Sequence, residues 1–305
     1  MTRCEFMKKF SYRVATYFSQ HLGVWFFRTF SWFIATGYFF LFPVRVAYGV
    51  KFYRALFPKQ GLLYHLLCVW RQYHNFTGVF LNHFLLQKNK SVDFTSVGWE
   101  HLEEAVKKKT GAIIVMSHVG NWELAAQLMN RKGLPVMLYL GEKHKEQIER
   151  MQKDTLAQSG IKIVTTSEKE SSPFALLEGI NFLREGGIVS MTGDRLWGEQ
   201  SHVTVEFLGH EVRLPDTPHL FALMTGAPLM TFFVYQDAAE KYHIKVSEGR
   251  KVFAAVRTDR KKTVLESAQA YAADLARFVA EHPFEWYHFE PFLGGKINTE
   301  KIIKY

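Results

Sequence analysis

Residues 111–130 read GAIIVMSHVGNWELAAQLMN, and two periodicities meet inside them. Ala112-Ile113-Ile114-Val115-Met116 is an unbroken apolar run, the pattern of a strand covered on both faces. From Trp122 to Met129 the spacing becomes helical. Between the two stand Ser117, His118, Val119, Gly120 and Asn121. The carboxyl end of a buried strand, turning into a helix, is a common seat of chemistry in α/β proteins. Gly120 permits a tight turn, Asn121 suits a helix cap, and Glu123 falls in the first helical turn. His118 stays on the strand-end loop, five residues before that carboxylate.

An imidazole titrates near neutrality, so a neutral His118 can take the proton from a hydroxyl attacking a thioester carbonyl. Glu123 can accept a hydrogen bond from the other ring nitrogen and stabilise the imidazolium. On this reading His118 and Glu123 are a catalytic acid/base pair. The same residues also read as a turn histidine, a cap and a charge that complements the helix dipole. The spacing alone does not separate these readings. No GxSxG elbow occurs, and neither Cys4 nor Cys68 has a His/Asp arrangement beside it. Direct transfer to an acceptor hydroxyl or amine therefore fits better than a covalent acyl-enzyme. Two cysteines cannot build a four-cysteine metal site and read as reduced. His101, His210, His219 and His243 match no metal-ligand spacing. Neither a metal nor a resident cofactor is expected.

Outward from the central stretch, short apolar runs alternate with helical ones. Trp99–Lys109 reads as a helix with acidic residues early and lysines late. Strands are expected over 134–140, 161–165, 188–191 and 229–235, with helices over 144–157, 174–183, 219–224 and 262–280. Val203–His210 reads as a strand and turn, and Tyr242–Val246 alternates like an edge strand. The pattern predicts a largely parallel sheet flanked by helices. A second junction of the same kind lies at Thr192-Gly193-Asp194-Arg195-Leu196-Trp197-Gly198, where a buried strand again enters a polar loop.

The first 90 residues differ in character. Sixteen residues without a formal charge, TFSWFIATGYFFLFPV, lie between Arg28 and Arg45. The run is a little short for a span, and Pro43 interrupts its end. It reads as a core helix pair, a monotopic anchor or a tilted short span; aromatic residues at its edges with arginines beyond favour an interface. The chain thus divides into a membrane-associated helical region over 1–90 and an α/β domain over 91–305. The net charge of +9 suits an anionic partner such as a phospholipid surface or an acidic carrier protein. No zinc-finger spacing, RNA-binding signature or long basic stripe points to nucleic acid.

The block GAIIVMSHVGNWELAAQLM resembles the His-x4-Asp/Glu motif of the bacterial lipid A biosynthesis (lauroyl/myristoyl) acyltransferase family, within the wider glycerolipid acyltransferase-like group. The likeness extends through MTGDRLWGEQSHVTVEFLGHEVRLPDTPHLFALMTGAPLMTFFVYQ to the C-terminal PFEWYHFEPF. It implies a glycerolipid-acyltransferase-like fold and an acyl donor held as a thioester on acyl carrier protein or coenzyme A. It also implies a lipid or glycolipid acceptor at the cytoplasmic face of a bacterial inner membrane. By the same likeness His118 is the base and Glu123 its partner. Asn121 and Trp122 shape the motif loop, and Asp194 and Arg195 contact substrate. Arg195 suits an anion or a thioester oxygen, or else an ion pair with Asp194 or another carboxylate. One departure stands out: lipid A enzymes commonly carry an Asp-x-Asp-like pattern where this chain has Asp194-Arg195-Leu196. The DRxxG form and the WYHFEPF ending look more like relatives found with other lipid or polyene biosynthetic enzymes. The reaction class is kept, and the acceptor is widened beyond lipid A. Two other readings are a noncatalytic lipid-binding protein of the same fold and a (thio)ester hydrolase using water.

Overall fold

The computed structural model describes residues 24–87, 94–141, 156, 160–166, 173–198, 200–237 and 241–297. Most of the expected helix over 144–157, together with Cys4, lies outside the described residues. The chain forms two compact units, residues 1–92 and 93–305.

The described part of the first unit is helical: α1 (Val24–Leu41), α2 (Pro43–Leu56) and α3 (Leu62–Gln87). Pro43 starts α2, where a missing amide hydrogen costs nothing. The helices on either side of Phe42 are bent by 91°. Among the described residues no single helix is long and apolar enough to cross a membrane, but the bent pair over 28–41 and 43–56 meets that length and composition together. The uncharged run thus makes up most of α1 and ends just past the bend, at the first two residues of α2. Gly49 lets α2 approach α3 closely, since a Cβ there would meet Val69 Cγ2 at 2.8 Å. Trp32 of α1 packs edge-on against Trp70 of α3, and Thr36 Oγ1 lies 3.1 Å from His74 Nε2.

The second unit carries a seven-stranded sheet in the order β1-β9-β8-β2-β5-β3-β4. Its strands are β1 (Phe94–Val97), β2 (Ala112–Met116), β3 (Val136–Gly141), β4 (Lys162–Thr166), β5 (Ile188–Thr192), β8 (Leu229–Gln236) and β9 (Tyr242–Val246). Five strands, β8-β2-β5-β3-β4, run parallel; β9 is antiparallel to β8, and β1 is parallel to β9. Helices α4 (Trp99–Lys107), α5 (Trp122–Arg131), α6 (Pro173–Arg184), α7 (Thr217–Thr225) and α8 (Arg260–Glu281) accompany the sheet. The expected α/β class, with a mostly parallel sheet and helical flanks, is therefore what the chain adopts. A separate antiparallel hairpin pairs β6 (His202–Phe207) with β7 (His210–Pro215). Its turn, Leu208-Gly209, has positive φ at both residues, the backbone of a type I′ turn.

Every residue of β2 is buried, and each larger side chain there contributes roughly 1.5–3 kcal/mol of hydrophobic stabilisation. One expectation needs correcting. Tyr242–Val246 is not at the edge: β1 lies outside it, in parallel register Phe94↔Tyr242 to Val97↔Lys245. β9 alternates because one of its faces is partly solvated. The true edge, FTSV, is only four residues long and mostly exposed, too short and polar to announce itself in the sequence.

Candidate active site

The site is built by strand register. β2 and β5 are parallel neighbours, with Met116 opposite Thr192. His118 and Asp194 each lie two residues beyond that matched pair, so the two loops leave the sheet side by side. The Gly193 amide donates to the Met116 carbonyl at 2.7 Å, carrying the pairing one step past the strands. A Cβ at Gly193 would run into Val115 and the Tyr271 ring, so glycine is what lets the second loop lie this close.

His118 and Asp194 are bound twice. The His118 amide donates to Asp194 Oδ2 at 2.8 Å, and His118 Nδ1 meets Asp194 Oδ1 at 2.8 Å. Burial alone would raise the Asp194 pKa. The charge and hydrogen bond of His118 outweigh it, aided by the indole N–H of Trp286, and hold the carboxyl well below the usual aspartate range. An ionised carboxylate can only accept, so Nδ1 carries a proton, and in the neutral form of the ring Nε2 then keeps its lone pair. The His118 side chain is 21% exposed and that of Asp194 is 0% exposed. The free ring nitrogen thus belongs to a reachable side chain whose partner is sealed from water.

The C-terminal segment closes the arrangement. Trp286 Nε1 donates to Asp194 Oδ2 at 2.7 Å. The Tyr287 amide donates to the His118 carbonyl at 2.7 Å and the Gly120 amide to the Glu285 carbonyl at 2.8 Å, an antiparallel bridge centred on Val119 and Trp286. Gly120 has φ +56°, and a Cβ there would collide with the Val234 carbonyl. His288 packs on Trp286 and Phe292 and faces the His118 ring edge-on, 6.2 Å between centroids. Burial lowers its pKa to about 4, so it stays neutral beside the ionised aspartate. Its Nδ1 is buried without a partner. From below, the buried Tyr271 hydroxyl donates to the Met116 carbonyl at 3.3 Å. Burial raises its pKa well above the ordinary value and keeps it a donor.

Asn121 caps α5 as expected: its Oδ1 accepts from the Leu124 amide at 3.1 Å. Its Nδ2 is buried without a partner. Trp122, the first residue of α5, is half-buried. The carboxylate on the His118 ring differs from the one that the local spacing suggested. The carboxylate on His118 Nδ1 is Asp194, 76 residues away, whereas Glu123 is 0% exposed in the first turn of α5 and accepts from Gln127 Nε2 at 3.3 Å. The local spacing offered a carboxylate close in sequence, and the register brought another within hydrogen-bond distance of the ring. Arg195 does not pair with Asp194 either. Its Nε lies 3.7 Å from Glu290 Oε2, and its guanidinium sits 5.7 Å from the Trp197 ring centroid. Trp286, His288 and Glu290 were missed as site residues although the motif PFEWYHFEPF had drawn attention to their segment. Among the described residues no group of three or more His, Cys, Asp or Glu could hold a metal ion.

Residues 78–293 match the family described as bacterial lipid A biosynthesis acyltransferase. The chain belongs to this family. The matched span contains both strand-end loops and the C-terminal segment around Trp286. The chain is also 26% and 27% identical, over 204 residues, to phosphatidylinositol mannoside acyltransferases from two strains of Mycobacterium tuberculosis. It is 23% identical over 202 residues to the protein of the same name from Mycolicibacterium smegmatis. Each match covers 66% of this chain, and 60%, 60% and 63% of the respective relative.

Proposed function

We propose that this family member is a membrane-associated acyltransferase. It moves a fatty acyl chain from an acyl carrier protein or coenzyme A thioester to a hydroxyl of a lipid or glycolipid acceptor. His118 Nε2 takes the proton as the hydroxyl oxygen attacks the thioester carbonyl. Asp194 accepts from Nδ1–H and stabilises the imidazolium. Collapse of the tetrahedral adduct breaks the C–S bond, and the proton passes from His118 to the departing thiolate. The products are an ester and a free thiol. The observation that carries this reading is the hydrogen-bonded His118–Asp194 pair at the carboxyl ends of two central parallel strands, inside the family match.

Arg195 is proposed to meet the anionic part of a substrate, and Asn121 and Trp122 to shape the wall beside His118. Glu123 remains a proposed supporting residue, acting from the buried first turn of α5. The relatives' names favour a glycosylated lipid as acceptor. The angled, apolar α1–α2 pair and the bacterial family support placement at an inner membrane, with the proposed site on the cytoplasmic face. The test is to incubate purified protein with an acyl-thioester donor and candidate glycolipids, and to follow both lipid and thiol products. Acylated lipid with matching thiol release is expected, and His118→Ala should lower both by about 10²- to 10⁴-fold. Undiminished turnover in that variant, or free fatty acid in place of acylated lipid, contradicts the reading.

A further inference from the structure

Asn121 offers two groups at the start of α5, and helix capping uses only one. Its Oδ1 accepts from the Leu124 amide at 3.1 Å. A backbone N–H can only donate, so this bond fixes the oxygen end of the side-chain amide. The other end, Nδ2, is therefore an NH₂ group with two donors. It is buried without a partner, in a residue that is 1% exposed. A buried donor left unpaired destabilises the fold. Aspartate and serine cap a helix about as well as asparagine and bring no NH₂ group. The cap alone gives no reason for the amide.

The position of Nδ2 supplies one. Asn121 lies three residues past His118, where β2 hands over to the ten-residue α5. Oδ1 lies over the first helical turn, so the planar amide holds Nδ2 at the same end, the positive end of the helix dipole. The loop that carries both residues is fixed at several points. The His118 amide is bound to Asp194 and the Gly120 amide to the Glu285 carbonyl, so neither of these backbone donors is free to meet a substrate. A Cβ at Gly120 would collide with the Val234 carbonyl, which shows the loop held close against β8. A donor fixed in this way and sealed from water needs no reorganisation when charge develops.

We infer that Asn121 Nδ2, at the N-terminus of α5, donates to the oxyanion of the acyl transfer proposed above, on which this role rests. The acceptor oxygen bonds to the thioester carbon, and its proton passes to His118 Nε2. The C=O electron pair then moves onto the carbonyl oxygen, which accepts from Nδ2–H. When the C–S bond breaks, that pair re-forms the C=O bond and the proton goes from His118 to the departing sulfur. Oδ1 caps the helix throughout, so one side chain both holds the loop and meets the charge.

Asn121→Asp and Asn121→Ser separate the two roles, since both keep a cap and lack the NH₂. For full-length protein, kcat and KM are measured with an acyl-thioester donor and a glycolipid acceptor, beside wild type and His118→Ala, and a urea midpoint is taken for each. Both variants should lose about 10²- to 10³-fold in kcat, the range for removing one oxyanion donor. Asn121→Asp should be at least as slow as Asn121→Ser, because its charge repels the oxyanion. KM for the thioester should stay close to wild type, as should the urea midpoint of Asn121→Ser. An Asn121→Ser variant with wild-type kcat, or with a loss confined to KM or to the urea midpoint, would overturn the donor role. Wild-type turnover that falls in His118→Ala would then leave the acyl-transfer reading standing. Wild-type protein that forms no acylated lipid would instead overturn that reading, and the donor role with it.

Discussion

The loop after β2 and the loop after β5 leave the sheet at matched positions and carry opposite halves of one device. The first presents an imidazole that is 21% exposed; the second presents a carboxylate that is 0% exposed. Proton transfer needs a group the substrate can reach, whereas a fixed charge acts more strongly when water is excluded. Parallel register lets one strand end present a reachable group while its neighbour supplies the buried charge, the division that the proposed reaction needs. The contrast between two carboxylates is equally instructive. Glu123 is near His118 in sequence but folds into the first turn of α5. Asp194 is 76 residues away and is bound to the ring.

Removing the imidazole is the harshest way to break this pairing. His118→Ala should lower turnover by about 10²- to 10⁴-fold, the typical contribution of a positioned base, with circular dichroism unchanged. The two carboxylates can then be set against each other. Asp194→Asn keeps the shape but presents an amide where the ring needs an acceptor, and a loss on the order of 10²-fold or more is expected in kcat. Glu123→Gln should cost at least about ten-fold less in kcat than Asp194→Asn if the register, rather than the local spacing, defines the pair. Equal losses would return Glu123 to a direct role. Smaller still is the effect of the indole. Trp286→Phe keeps the bulk and removes the N–H on Asp194 Oδ2, a charge-assisted bond worth roughly 1.5–3 kcal/mol. About ten-fold lower kcat with little change in KM is expected.

The gentlest perturbation is acid. Burial lowers His288 to about 4 and His219 to about 4, against an ordinary value near 6.5. Between those values the unfolded chain binds more protons than the native one, so stability falls as pH drops from about 6.5 toward 4. Asp194, held below the usual aspartate range, adds its own loss only at lower pH, below its ordinary value near 3.9. Urea midpoints measured across this range should decline with acid, and more steeply than in a His219→Gln variant, which cannot titrate at that position.

Much of the fold was legible because β2, β5 and β8 are apolar runs bounded by turns, and the helices between them keep a helical period. β1 escaped notice: FTSV is short and mostly exposed, and its place is set by pairing with β9, not by its own pattern. His118 was legible for the same reason as β2, since it stands where a buried run ends. Its partner was not, because the strand order β2-β5-β3 inserts a later strand beside an earlier one, and a linear reading sees spacing but not insertion. Asp194 and Arg195 were marked as substrate contacts, and the structure ties Asp194 to His118 and Arg195 to Glu290. The brace formed by Trp286 depends on a long-range bridge to Val119, which no local periodicity encodes.

The central claim is that His118 and Asp194 act as one unit, and a double-substitution cycle tests it most directly. Acyl transfer from a thioester to a glycolipid is timed for His118→Ala, Asp194→Ala and the double variant. If Asp194 acts through the imidazole, the double variant should be no slower than His118→Ala alone. Losses that multiply, so that the double variant falls by the product of the two single effects, would contradict the account.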